Sequence, residues 1–235
     1  MSWTTIMRMG LAVGMLMLAG CGTAPKAPGP GEALLGRIES SHGPEARQRV
    51  EAWRDLVERE QSVAEGEKLR SVNAFINRLV FVDDAVHWGR EDYWATPLET
   101  LVSNGGDCED FTIAKYYTLR SLRVPESRMR LTYVKSLTLQ QPHMVLAYYR
   151  EPEAEPLILD NLVKEILPAS SRLDLVPVYS FNTEGLWLAR QRARSEYVGD
   201  RDQVGLWREF LARLQREERD WATLSPFLGS AHAAQ

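Results

Sequence analysis

Two cysteines and four histidines occur in the 235-residue chain, so thiol–imidazole chemistry has few places to reside. Cys108 stands in Gly105-Gly106-Asp107-Cys108-Glu109-Asp110, where a glycine turn gives way to the helical spacing of Phe111, Ala114, Leu119 and Leu122. A thiol in the first turn of a helix faces unpaired backbone N–H groups and the positive end of the macrodipole, which favours the nucleophilic thiolate. The N–H of Cys108 itself can face a carbonyl oxygen that becomes negative during attack. Gly105 and Gly106 leave room for a substrate backbone.

A thiolate needs an imidazole to stabilise it and later to protonate a leaving amine. His143 is the best candidate, because it follows Pro142 at the opening of an expected strand, 35 residues after Cys108. His87 is the rival; His42 precedes the expected domain core and His232 lies in the tail. The ring must be held in one tautomer, normally through a carboxylate or amide on Nδ1. Asp160, a further 17 residues on, ends the apolar run Leu157-Ile158-Leu159 and reaches the His143 strand if the two pair as a hairpin. The other reading of Asp160 is an Asx turn with Asn161.

Asp107, Glu109 and Asp110 crowd three carboxylates around this one thiol. Negative neighbours oppose thiol ionisation, whereas a divalent ion bound by oxygen ligands cancels that charge. The alternative is that acidic residues in a first turn merely satisfy the helix dipole. Trp88, Tyr93 and Trp94 either wall a cleft or pack in the core. The basic segment from Arg190 to Arg194 reads as a solvated face.

The elements that must carry these residues are legible in the periodicity. Val50, Trp53, Leu56 and Val57 recur at helical spacing, as do Leu69, Val72, Phe75, Ile76 and Leu79. Thr96-Pro97-Leu98-Glu99 offers a capping box with proline at the first helical position, and that helix stops at Asn104-Gly105-Gly106. Beyond Pro125 the spacing changes to strands at Arg130–Leu137, His143–Arg150, Pro156–Asp160 and Val176–Phe181, before a last amphipathic helix around Leu206, Trp207, Phe210, Leu211 and Leu214. Helices first and strands after predict an α+β fold, an antiparallel sheet packed against an N-terminal helical portion.

The N-terminus is of another kind. Met1 to Cys21 carries Arg8, no acidic residue, and a short apolar run ending in Leu18-Ala19-Gly20-Cys21. Such a run is too short for a mature transmembrane helix and reads as an export signal. Its ending resembles the bacterial lipoprotein box, which implies lipid attachment at Cys21 and a periplasmic, membrane-anchored lipoprotein. The expected organisation is a signal peptide at 1–20, a Pro/Gly-rich tether at 21–43, one domain at 44–228 and a frayed tail at 229–235. With Cys21 lipidated, Cys108 is the single remaining thiol, and a lone thiol in an oxidising compartment is a liability unless buried or used. The net charge of −4 gives no general attraction to phosphate backbones, and no nucleic-acid partner is expected.

Three segments together, Gly105-Gly106-Asp107-Cys108-Glu109-Asp110, Gln141-Pro142-His143-Met144-Val145-Leu146 and Leu157-Ile158-Leu159-Asp160-Asn161, resemble the bacterial transglutaminase-like cysteine proteinases of the LapG type. The resemblance covers the chain from about Val72 to Trp187. It implies a papain-like, transglutaminase-like core whose catalytic Cys, His and Asp match Cys108, His143 and Asp160, with calcium (Ca2+) ligands matching Asp107 and Glu109; Asp110 and the Asn104 carbonyl are candidate additions. It further implies a calcium-dependent periplasmic endopeptidase that cuts near the N-terminus of a large repeat-rich surface adhesin, releasing it and dispersing biofilm. A membrane receptor responsive to cyclic diguanylate is the implied inhibitor. Residues alone leave two alternatives open: a peptidoglycan amidase or transferase with the same thiol chemistry, and a non-catalytic lipoprotein that binds a partner in its cleft.

Overall fold

The computed structural model describes residues 30–190, 194–199 and 205–224. Apolar stripes at helical spacing produce the first three helices. In α1 (Pro30–His42) the stripe is Leu34, Leu35 and Ile38; in α2 (Pro44–Arg59) it is Ala46, Val50, Trp53, Leu56 and Val57; in α3 (Glu65–Ile76) it is Leu69, Val72, Phe75 and Ile76, all buried. The expected tether at 21–43 is therefore corrected in its second half. Residues 30–42 are a docked helix, because three side chains of α1 join the same core as Trp53 and Val72. The signal segment, Cys21 and the tail at 229–235 lie outside the described residues.

Two short pairing segments, β1 (Val80–Phe81) and β2 (Gly105–Gly106), run parallel and enclose α4 (Asp84–His87) and α5 (Pro97–Ser103). Next comes α6 (Cys108–Ser121), the central helix, buried continuously from Asp110 to Ser121. A helix covered on every side cannot show an amphipathic pattern, and its polar groups must find partners inside. One does so across the core: the Trp53 indole donates to Thr118 Oγ1 at 2.9 Å.

The strands form one seven-stranded antiparallel sheet in the order β6-β5-β4-β3-β7-β8-β9, built from β3 (Met129–Ser136), β4 (Gln141–Tyr148), β5 (Leu157–Leu159), β6 (Leu167–Pro168), β7 (Leu175–Phe181), β8 (Leu186–Arg190) and β9 (Arg194–Gly199). Register places Leu159, Leu146, Leu131 and Phe181 in a single row across four strands, each fully buried against the helices. Alternate residues Val134, Val145, Ala147 and Ile158 form a smaller cluster of their own, the period-2 consequence of the pleat. Helix α7 (Gly205–Leu224) closes the core with Trp207, Phe210, Leu214 and Trp221, the last standing edge-on to Trp53 at 5.6 Å. The expected α+β architecture and its four strands are present, each boundary within two residues. The β8–β9 hairpin takes in the basic segment expected as a solvated face; residues 191–193 of it lie outside the described residues.

Candidate active site

The approach to Cys108 is shaped by local sequence. Thr96 caps α5, its hydroxyl accepting from Glu99 N at 3.2 Å while Glu99 Oε2 accepts from Thr96 N at 2.8 Å. Asn104 ends the helix in the left-handed conformation at φ 66°. The two glycines that follow are required by close approach, since a Cβ on Gly105 would strike the Val80 carbonyl and one on Gly106 the Asp110 carboxylate. The chain then enters α6 through Asp107, with Cys108 as the first helical residue.

The thiol is half-buried and held between helix and sheet. Thr112 Oγ1 lies 2.9 Å from the Cys108 carbonyl and 3.1 Å from the Met144 carbonyl, pinning the first turn of α6 to β4 beside His143. The Met144 backbone N–H donates toward the sulfur. Cys108 Sγ in turn donates to Glu109 Oε2 at 2.9 Å. Burial, then the charge of Glu109 and that of Asp107, push the thiol well above its usual range, and the Met144 N–H offsets only part of this.

His143, 3% exposed, is the third residue of β4, and its Nε2 lies 2.8 Å from Asp160 Oδ1. Asp160 sits just past the β4–β5 ladder, whose last pair is Leu146↔Leu159, and so reaches the outer nitrogen of the ring. The carboxylate therefore engages Nε2 rather than the expected Nδ1, leaving Nδ1 as the other ring nitrogen. Asp160 Oδ1 also accepts from Leu162 N at 3.1 Å, so the Asx-turn reading and the histidine-orienting geometry coexist. Its Oδ2 accepts from Arg172 Nη2 at 2.7 Å. Burial alone raises a carboxyl, but the His143, Leu162 and Arg172 contacts outweigh it and hold Asp160 down at about 2. The rival His87 packs edge-on against Trp88 at 4.6 Å.

Five carboxylates converge next to the thiol, two more than the sequence motif contains. Oxygens of Asp84, Asp92 and Glu109 lie within 4.8 Å of one another, as do those of Asp84, Asp107 and Asp110, and the ligand atoms of Asp107, Cys108 and Glu109 form a third group. Asp84 Oδ1 and Asp107 Oδ1 are buried without a hydrogen-bond donor. Burial, then repulsion from neighbouring carboxylates, raises Asp84 to about 6 and Asp107 to about 9 and lifts Glu109 and Asp110, while Asp92 is raised by partial burial. An all-oxygen set of such density fits a hard divalent cation, which would satisfy the orphaned oxygens and remove the repulsion. The Asn104 carbonyl, a candidate addition on sequence grounds, accepts from Val80 N at 3.0 Å in the β1–β2 ladder.

Asp84 and Asp92 escaped the sequence reading because parallel pairing of β1 with β2, reinforced by Val82 N on the Gly106 carbonyl at 2.9 Å, is what carries the start of α4 to Asp107. No periodicity signals such a pairing. Among the aromatic residues, Trp94 is core, stacked on Phe181 at 5.7 Å, whereas Trp88 and Tyr93 remain partly exposed, 4.9 Å apart. Tyr133 and Tyr179 stack at 5.0 Å next to the acidic cluster, and burial, followed by electrostatic coupling to Cys108, Asp92 and Glu109, raises the Tyr133 hydroxyl.

A thiol opening a buried helix, packed on an antiparallel sheet that carries an imidazole–carboxylate pair, defines a transglutaminase-like fold of the papain kind. The family described as bacterial transglutaminase-like cysteine proteinase matches residues 45–193, and the chain belongs to it. Solved structures of Legionella pneumophila LapG are similar over most of the chain. The EGTA-treated protein is 44% identical, with a TM-score of 0.69 over 78% of this chain and 96% of its own. The calcium-bound protein is 43% identical, with a TM-score of 0.67 over 77% and 97%. Comparison with curated protein sequences gives no match.

Proposed function

We propose that the chain is a calcium-dependent cysteine endopeptidase in which Cys108 is the nucleophile, His143 the proton carrier and Asp160 the residue that orients it. The observation that carries this reading is the His143 Nε2–Asp160 Oδ1 contact of 2.8 Å, on a strand whose next residue, Met144, directs its N–H at the Cys108 sulfur. With Nε2–H fixed on Asp160, Nδ1 is the nitrogen that takes the thiol proton. The thiolate adds to the scissile carbonyl carbon, and the Cys108 N–H, which has no intrahelical acceptor at the first helical position, donates to the oxyanion. His143 then gives its proton to the departing amine. In the second half it takes a proton from water, which attacks the thioester and releases acid and thiol.

Asp107 and Glu109 would hold the calcium ion, with Asp84, Asp92 and Asp110 the neighbouring carboxylates that could complete its oxygen ligands. When bound, calcium supplies positive charge that offsets these carboxylates and so favours the thiolate. The likeness to a calcium-bound relative supports this assignment.

By family resemblance, the substrate is the N-terminal region of a large repeat-rich surface adhesin, whose release promotes biofilm dispersal, and the inhibitor is a cyclic diguanylate-responsive membrane receptor. The Leu18-Ala19-Gly20-Cys21 ending supports a periplasmic enzyme held at the membrane through lipid on Cys21. Purified protein is expected to cleave an adhesin N-terminal fragment, with Cys108→Ala inactive and chelator reversibly inhibitory. Cleavage that persists in Cys108→Ala, or activity on muropeptides with none on protein, would overturn the proposal.

A further inference from the structure

Asp160 is held from its far side by a residue that the cysteine–imidazole chemistry does not itself require. Arg172 follows the short 3-10 turn Ala169–Ser171 and is 4% exposed. Its Nη2 donates to Asp160 Oδ2 at 2.7 Å. The same guanidinium is gripped by Asp174, Nε donating to Oδ1 at 2.9 Å and Nη2 to Oδ2 at 2.8 Å. Asp174–Arg172–Asp160–His143 is thus a continuous chain of charge-assisted contacts ending on the imidazole.

Geometry decides what this chain can do. Asp160 carries two oxygens, and the ring needs one of them in a fixed direction. A lysine at 172 would supply charge without the planar fork that allows one guanidinium to meet Asp160 and Asp174 together. The other cation near Asp160 is a poorer anchor: burial on α6 lowers the Lys115 ammonium to about 7, and the Asp160 charge offsets only part of this. Direction is what Arg172 adds. With Oδ2 fixed by Arg172, Oδ1 is left to His143 and Leu162 N, and the carboxylate plane cannot rotate away from the ring.

We propose that Arg172, braced by Asp174, is a positioning residue that fixes the Asp160 carboxylate and through it the His143 tautomer. The consequence for turnover rests on the endopeptidase reading above, whereas the consequence for the ring does not. Two readouts therefore separate the ideas.

Nitrogen NMR of His143 in the Cys108→Ala protein, recorded at alkaline pH, is expected to show the Nε2–H tautomer. Adding Arg172→Gln should give a mixture, with Arg172→Lys in between. In the enzyme with Cys108 intact, Arg172→Gln should lower kcat about tenfold to a hundredfold, the scale of a small misplacement of a catalytic group, with KM within about twofold. Asp174→Asn should give a smaller loss in the same direction and no further loss in the Arg172→Gln background, since it acts through the guanidinium. Circular dichroism establishes which variants are folded. If Arg172→Gln does not fold, the milder Arg172→Lys and Asp174→Asn carry the tautomer measurement. An unchanged His143 signal in the folded variants would overturn the proposal whatever happens to turnover. A wild-type chain inert on adhesin but with a tautomer that responds to residue 172 would overturn the protease reading and leave the positioning role standing.

Discussion

Glu109 Oε2 lies 2.9 Å from Cys108 Sγ and accepts a hydrogen bond from the thiol. Adding to the effect of burial, Glu109 thus keeps the Cys108 thiol neutral by its charge and by its hydrogen bond, both of which raise the thiol. A divalent cation that takes the Glu109 and Asp107 oxygens reverses both effects. The thiolate ultraviolet absorbance of the protein at neutral pH should accordingly rise on adding calcium and fall with chelator. Asp107→Asn combined with Glu109→Gln should remove the response, and a calcium-independent absorbance would argue against this coupling.

Asp84 and Asp92 should matter for calcium although they stand outside the Gly105–Asp110 motif. Each Asp→Asn change is expected to weaken calcium binding about tenfold, in the range found when an ordering or ligating partner is lost. Titration calorimetry of the two variants checks this. Affinity equal to wild type in both would restrict the site to the Gly105–Asp110 motif.

The acidic cluster also sets a pH dependence of stability in the calcium-free protein. Carboxyls whose folded pKa is raised bind more protons than in the unfolded chain, so their stabilising contribution is complete below the unfolded value of 3.8 and is lost as pH rises. The loss runs through about 6 for Asp84 and on towards about 9 for Asp107. Asp160 has the opposite sign and a separate window, its contribution present above 3.8 and lost as pH falls towards about 2. Thermal unfolding in chelator should therefore show Tm declining from mildly acidic to alkaline pH, with calcium flattening the decline. A Tm in chelator that rises over that interval would contradict the cluster electrostatics.

Helix α1 should be part of the domain. Leu35 is fully buried among the core residues, so Leu35→Ala is expected to cost about 2–5 kcal/mol. Denaturant unfolding measures this directly. A change below about 0.5 kcal/mol, the scale of surface substitutions, would mean that residues 30–42 do not dock.

Local rules explain what could be read in advance. The Thr96–Glu99 capping box, the glycine turn before Cys108 and the period-2 runs of β3, β4 and β7 are encoded within a few residues, and the structure contains each of them. Proximity of His143 and Asp160 was also accessible, since a hairpin of consecutive strands brings residues 17 apart together. What was not legible depends on long-range pairing or on register. Asp84 reaches Asp107 through β1–β2, Arg172 reaches Asp160 from beyond β6, and the choice of Nε2 over Nδ1 follows from where the β4–β5 ladder ends. The α1 helix was obscured by its composition, with Pro30, Gly31 and Gly36 weakening a stripe that only packing against α2 and α7 completes.

The central claim, that Cys108 is ionised by His143, is tested most directly by its alkylation rate at neutral pH in the presence of calcium. The account predicts that the wild-type thiol reacts far faster than a model thiol and that His143→Ala, folded and still binding calcium, brings the rate down to the model value. Equal rates in the two proteins would contradict it.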